Sequence, residues 1–123
     1  MQGFIEVDTP ARIPNPIPEA YIDPVSSDRW YLQSSPEQCM KRLVASGYDK
    51  IFQICKCFRK NERGHRHLPE LTILEWYQTN QDYRGLMEQC EDLLIHIAGR
   101  ITKTGDLLNY GDTEISLKKP WTR

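Results

Sequence analysis

The sequence has no apolar run near the ~18 consecutive residues that a membrane-spanning helix needs, and its first residues lack the pattern of a secretory leader. No membrane partner is expected. Cysteine is scarce: Cys39, Cys55, Cys57 and Cys90 have none of the dense spacing of a disulfide-stapled fold. Reduced thiols in a cytoplasmic protein are the expectation. Net charge is nearly missing as well. A formal charge of −1 and a pI of about 6.3 exclude general adhesion to nucleic acid or to a membrane surface, so any anion binding has to be local. There is no internal repeat. At 123 residues, 39% hydrophobic and 27% charged, the chain is too short for two cores and too apolar for disorder.

What is present reads as alternating strands and helices. "GFIEVDTP" (3–10) alternates in polarity and ends at Pro10, as a short strand does. Five of the eight prolines (Pro10, Pro14, Pro16, Pro18, Pro24) fall within the first 24 residues, which excludes helix there and implies an extended, mobile connection. "RWYLQ" (29–33) is a second strand. "SSPEQCMKRLVASG" carries the punctuation of a helix over 36–47: Ser34 or Ser35 as cap, Pro36 in the first turn, Glu37 at the positive end of the dipole and Gly47 as the stop. Met40, Leu43 and Val44 form its buried stripe. Residues 50–59 and 70–79 read as the two strands of an antiparallel hairpin with a long connection. A longer helix follows over 82–104, with Asp82 as cap, Gly105 as stop, and an apolar face of Leu86, Met87, Cys90, Leu93, Leu94, Ile97 and Ile101 that needs a sheet to cover. The tail predicts a turn at Gly111-Asp112 and one more strand, "TEISL".

The connection between the hairpin strands is "FRKNERGHRHLPEL" (58–71). Arg59, Lys60, Arg63 and Arg66 stand there against Glu62 alone before Glu70 is reached. A solvated loop is the usual fate of such a run. Its position argues for more. Side chains alternate along a strand, so Gln53, Cys55, Cys57 and Arg59 share one face of the first strand, and Leu71, Ile73, Glu75 and Tyr77 share one face of the second. The opposite faces (Phe52, Ile54, Lys56, Phe58; Glu70, Thr72, Leu74, Trp76) are mostly apolar and suit the helices. A carboxylate in mid-strand between Leu74 and Trp76 needs partners if buried. Glu75 either pairs structurally with a neighbouring cation, or belongs to a polar pocket in which Glu75 and Tyr77 receive an amine and Arg59 receives an anion. A zinc site is the remaining option, but Cys55-x-Cys57 and His65-x-His67 both miss the usual ligand spacings, so no metal site is expected.

Taken together, "GFIEVDTP", "YLQSSPEQCMKRLVASGYDKIFQICKCFR" and "HRHLPELTILEWY" resemble the catalytic core of class II aminoacyl-tRNA synthetases of the lysyl type. They are most similar to the paralogue family without an anticodon domain that attaches β-lysine to translation elongation factor P. The resemblance runs over about residues 3 to 97. It implies an α+β fold, a partial class II antiparallel sheet flanked by helices. It implies that Ser35 and Glu37 hold the amino-acid substrate, Glu37 at its α-amino group, and that Glu75 and Tyr77 line the same pocket. Arg59 matches the motif 2 arginine that contacts the ATP α-phosphate and the substrate carboxylate, a task suited to a guanidinium fork. Asn61, Glu62, His67, Leu68 and Leu71 fall in the ATP-binding part of motif 2.

Departures from the pattern carry their own expectations. The family has Arg-x-Glu where this chain has Asn61 followed by Glu62, and His-Asn-Pro-Glu-Phe where it has His67-Leu68-Pro69-Glu70-Leu71. These changes remove an adenine contact, a polar contact and a stacking ring; stacking is worth on the order of 1–3 kcal/mol. The sequence begins inside motif 1 and reaches Arg123 before the acidic metal-binding strand and motif 3. Residues 1–123 thus read as one incomplete core in which magnesium would lack its usual ligands. The expected ligands are lysine or β-lysine and ATP, the expected acceptors elongation factor P or a tRNA acceptor end, and open sheet edges imply a homodimer. Two functions follow: a truncated ligase, inactive alone, or a non-catalytic remnant that binds an amino acid or a partner.

Overall fold

The computed structural model describes residues 3–102 and 105–122. The fold is α+β, and it divides into two compact units, residues 1–79 and 80–123.

The first unit is built on the basic hairpin. β5 (Lys50–Phe58) and β6 (Glu70–Gln78) pair antiparallel along their whole length, from Lys50 opposite Gln78 to Phe58 opposite Glu70. The register places Gln53 directly opposite Glu75, Cys57 opposite Leu71 and Ile51 opposite Tyr77, so the odd-numbered face is the one drawn by alternation. β1 (Ile5–Glu6) joins the other edge of β5 in parallel, giving a mixed sheet where an antiparallel one is expected. The long crossover between β1 and β5 permits this, since parallel neighbours need a connection of a dozen residues or more.

That crossover is where the structure departs most from the expectation. The Pro-rich arm is extended, but it is hydrogen-bonded rather than a free connection. β2 (Arg12–Ile13) and β3 (Val25–Ser27) flank β4 (Trp30–Leu32) in a small antiparallel sheet. Arg12 fastens its hairpin: one guanidinium nitrogen donates to the Ser27 carbonyl at 2.9 Å and to Asp28 at 3.2 Å, and the group lies 5.7 Å from the Trp30 ring centroid. Prolines fit at the edges and turns of such a sheet because they remove no ladder donor there.

α1 (Glu37–Ala45) lies against β5 and β6. Pro36 holds the cap position, and the Ser35 hydroxyl accepts from the Glu37 N–H at 3.1 Å. Gly47, with φ +104°, turns the chain out of the helix in a conformation that a Cβ would strain. Met40 is fully buried, with Ile51, Phe52, Cys57 and Ile13 as the apolar core of the unit. The hairpin faces are not divided as their apolarity suggests. Ile54 and Leu74 are 57% and 38% exposed, whereas Ile51, Gln53 and Cys57 on the polar-bearing face are buried. Polar side chains go inside here because hydrogen-bond partners come from the strand and loop segments that meet them.

In the second unit α2 spans Tyr83–Ile101, and the Asp82 side chain accepts from the Arg84 and Gly85 N–H groups as a cap should. The helix ends before its predicted limit because Thr102 is already extended, its hydroxyl donating to the Ala98 carbonyl at 2.9 Å. Residues 103 and 104, in the predicted last turn, lie outside the described residues. Of the predicted apolar face, Leu86, Leu94, Ile97 and Ile101 are exposed. β7 (Leu107–Tyr110) and β8 (Thr113–Ser116) form a hairpin around the expected Gly111-Asp112 turn, with Gly111 at φ +60°.

Candidate functional site

Glu75 is the hub of the first unit's polar face. Its two carboxylate oxygens accept from different elements: Oε2 from the Ser35 hydroxyl at 2.8 Å, Oε1 from the Tyr77 hydroxyl at 2.5 Å. Ser35 thus accepts from the first turn of α1 and donates to mid-strand β6, coupling the helix start to the sheet. Tyr77 reaches Glu75 because residues two apart on a strand share a face. Opposite Glu75, the Gln53 carbonyl oxygen accepts from the Thr9 hydroxyl at 2.9 Å, 44 residues away in sequence. Gln53 is 2% exposed and its amide nitrogen has no hydrogen-bond partner. Parity places Gln53 on this face; what it does not reveal is Thr9. A glutamine between Phe52 and Ile54 in a buried strand was the available signal.

Burial raises the Tyr77 phenol well above its ordinary value near 10, and the hydrogen bond to Glu75 and its charge add to the shift. The group therefore stays a proton donor to Glu75. The unfolded chain loses this proton first, so the contribution to stability is fully present below about pH 10 and declines as the pH rises further. Denaturant titrations between about pH 9 and pH 11 should show Tyr77→Phe losing stability less steeply than the unsubstituted chain, by well under ~1.4 kcal/mol per pH unit for this one half-buried group. Identical slopes would mean that Tyr77 does not titrate with unfolding. Along the same face Cys55 and Cys57 have their sulfurs 3.8 Å apart, and burial pushes both thiols up, Cys57 to about 12. They are packing groups at neutral pH rather than nucleophiles.

Arg59 follows β5, its N–H donating to the Pro69 carbonyl at 2.9 Å across the mouth of the hairpin. Its side chain is 24% exposed, and Nη1 stands 3.8 Å from Glu62 Oε2. Nε is buried without a hydrogen-bond partner. Asn61, the departure beside it, sits at φ +64°, a left-handed conformation that asparagine tolerates better than most residues. The acid one position later is the one that pairs with Arg59. The loop is held at two places: the Lys60 N–H donates to the Asp23 carbonyl at 2.9 Å, and Gly64 and His67 exchange backbone hydrogen bonds.

The structure brings Ser35, Glu75 and Tyr77 into one hydrogen-bonded group, with the Glu37 N–H attached to it. The Glu37 carboxylate is engaged by Lys41, one helical turn on. Arg59 and Glu62 form a second pair. Asn61, His67 and Leu68 are exposed in the loop and join neither group; Leu71 is half-buried opposite Cys57. Among the described residues no three His, Cys, Asp or Glu side chains stand together as metal ligands, and no helix is long and apolar enough to cross a membrane.

The arrangement sets a carboxylate held by two hydroxyl donors on the same sheet as an arginine whose donors are only partly used. A family model described as tRNA synthetases class II (D, K and N) matches residues 1–123. The chain is 37% identical over 119 residues to the elongation factor P–(R)-β-lysine ligase of Pectobacterium carotovorum subsp. carotovorum (strain PC1), covering 89% of this chain and 36% of that protein. It is 34% identical over 127 residues to the lysine–tRNA ligase of Carboxydothermus hydrogenoformans, covering 99% of this chain and 26% of the relative. With the lysine–tRNA ligase of Bordetella bronchiseptica the identity is 37% over 127 residues, covering 98% and 25%. The chain spans about a third or less of the length of these curated relatives. On the match along its whole length, and on relatives that are aminoacyl ligases, this chain belongs to the class II tRNA synthetase family of the D, K and N type.

Proposed function

We propose that the chain carries the amino-acid-binding half of a lysyl-type ligase core, for lysine or β-lysine. The observation that supports this best is the Ser35–Glu75–Tyr77 group, an anionic site on a sheet face whose hairpin mouth ends at Arg59. In this reading Glu75 and Tyr77 take the amine, and Glu37 takes the second amino group once released from Lys41. Arg59 faces the carboxylate and the ATP α-phosphate. In the complete reaction a carboxylate oxygen of the amino acid attacks the α-phosphorus, pyrophosphate leaves, and Arg59 stabilises the charge that develops on the phosphoryl oxygens. The acyl group of the resulting adenylate then passes to elongation factor P or a tRNA acceptor end with release of AMP, work that belongs in the cytoplasm. The residues present do not fit a magnesium site, since no cluster of ligands exists among those described, and no step here is assigned to one. β6 is the edge strand of the three-stranded sheet, where a second copy would add in a homodimer.

Residues 1–123 carry the end of motif 1 and motif 2 of such a core. The remnant reading draws on Asn61, Leu68 and Leu71, which replace nucleotide-binding groups of the family pattern. Calorimetric titration with lysine, (R)-β-lysine and ATP, together with ATP–pyrophosphate exchange, tests both. The expected result is lysine or β-lysine binding without exchange by the 123-residue chain. ATP binding alongside the amino acid favours the ligase reading, and its absence favours the remnant. Failure to bind either amino acid would sink both.

A further inference from the structure

Gln53 is a deeply buried polar side chain on the face of Glu75, with half of its hydrogen-bonding capacity unused. It is 2% exposed, stands directly opposite Glu75 in the β5–β6 register, and is fixed on one side by Thr9. Its amide nitrogen has no partner. A buried donor left unmade costs more than a hydrogen bond contributes, so an orphan in this place marks either a defect or a contact that a ligand completes. Opposite residues on one face of an antiparallel pair have Cβ atoms about 5 Å apart, so Gln53 and Glu75 are cross-strand neighbours on this face. The carboxylate oxygens already hold two hydroxyl protons, from Ser35 and Tyr77.

A carboxamide is nearly symmetric in shape. A half-turn about its last bond exchanges oxygen and nitrogen without disturbing the packing, and a threonine hydroxyl serves either orientation, as donor to the oxygen or acceptor from the nitrogen. After the turn Thr9 accepts from the Gln53 nitrogen and the Gln53 oxygen takes the place of the unpartnered nitrogen. We propose that Gln53 is a specificity-determining residue of the amino-acid pocket: when an ammonium group binds at Glu75, the Gln53 amide turns and its oxygen accepts one ammonium proton. An –NH₃⁺ group has three donors and no acceptor, so a pocket for it is best lined by acceptors. Glu75 supplies the charge, and Gln53 supplies a neutral acceptor that adds no second buried anion. The same geometry rejects a ligand whose side chain ends in a methyl group, because the Gln53 amide and Glu75 are then left without that partner.

The inference rests on the proposed lysine-type pocket, and the experiment separates the two. Lysine and norleucine, which lacks the terminal amine, are titrated calorimetrically into the unsubstituted chain and into Gln53→Leu, Gln53→Glu and Glu75→Gln. Gln53→Leu is expected to weaken lysine about tenfold and leave norleucine within about twofold. Gln53→Glu, which keeps only acceptors, should bind lysine at least as tightly as the parent. Equal losses for lysine and norleucine in Gln53→Leu would reveal a packing role and overturn the inference. So would loss of lysine binding in Gln53→Glu, because the amide would then have served as a donor. If Gln53→Leu does not fold, Gln53→Glu decides alone. Lysine weakened by Glu75→Gln but untouched by Gln53→Leu overturns the Gln53 assignment and spares the pocket; an unsubstituted chain that ignores lysine overturns both.

Discussion

Glu75→Gln is expected to lower lysine affinity by about a hundredfold while leaving the protein folded. The side chain keeps its shape, and both of its partners can adjust. Ser35 and Tyr77 hydroxyls donate to the carboxylate in the structure, at 2.8 and 2.5 Å, and a hydroxyl can instead accept from the new amide. The stability loss should therefore be about 1 kcal/mol, the net worth of an ordinary hydrogen bond. The cation loses its only charged partner in this group. Truncating one side of a desolvated charge pair typically costs about 2–5 kcal/mol, which dominates the other terms. Calorimetry with lysine and a urea titration of the same variant measure the two effects separately. Unchanged lysine affinity would remove Glu75 from the amine site, and a collapse of stability with affinity would make it a structural residue.

Arg59→Lys is expected to weaken ATP or pyrophosphate binding almost as much as Arg59→Ala, by about thirtyfold or more. The reason lies in how little of the guanidinium is committed. Nε is buried without a partner, and Nη1 faces Glu62 across 3.8 Å, beyond hydrogen-bond length. An incoming anion can compete with Glu62 for the exposed edge of the planar fork. A lysine ammonium keeps the charge but has neither the fork nor a donor at the Nε position, so it cannot recover the orphaned contact. Titration of the chain and both variants with ATP and with pyrophosphate reads the effect. Should Arg59→Lys bind like the parent, charge alone suffices and the fork has no role.

Much of the frame was legible from local rules. Alternation along 50–59 and 70–79 gave both strands, each one residue longer than observed, and the shared face of Gln53, Glu75 and Tyr77, which the register bears out. Asp82 and the Gly111-Asp112 turn announced themselves because capping and two-residue turns depend on a few adjacent residues. The Pro-rich arm is extended as its prolines require, but β2 and β3 at its ends were not legible, because they are two or three residues long and gain their partners from β4 rather than from their own pattern. The division of the hairpin faces was misread for a related reason. Apolarity suggested that Ile54 and Leu74 go inside, yet hydrogen bonds to Gln53 and Glu75 come from Thr9 and Ser35 on other segments.

The sequence by itself determined the class of fold, the hairpin with its basic connection, and the residue types that carry the family likeness, since each depends on periodicity or on short motifs. Only the tertiary structure decided how those residues are used. It joined Ser35 to Glu75 across 40 positions, engaged the Glu37 carboxylate with Lys41, and left one nitrogen each on Gln53 and Arg59 without a partner. The physical reason is that hydrogen-bond satisfaction in a buried site is settled by which segments meet there, and a strand pattern specifies a face but not its visitors.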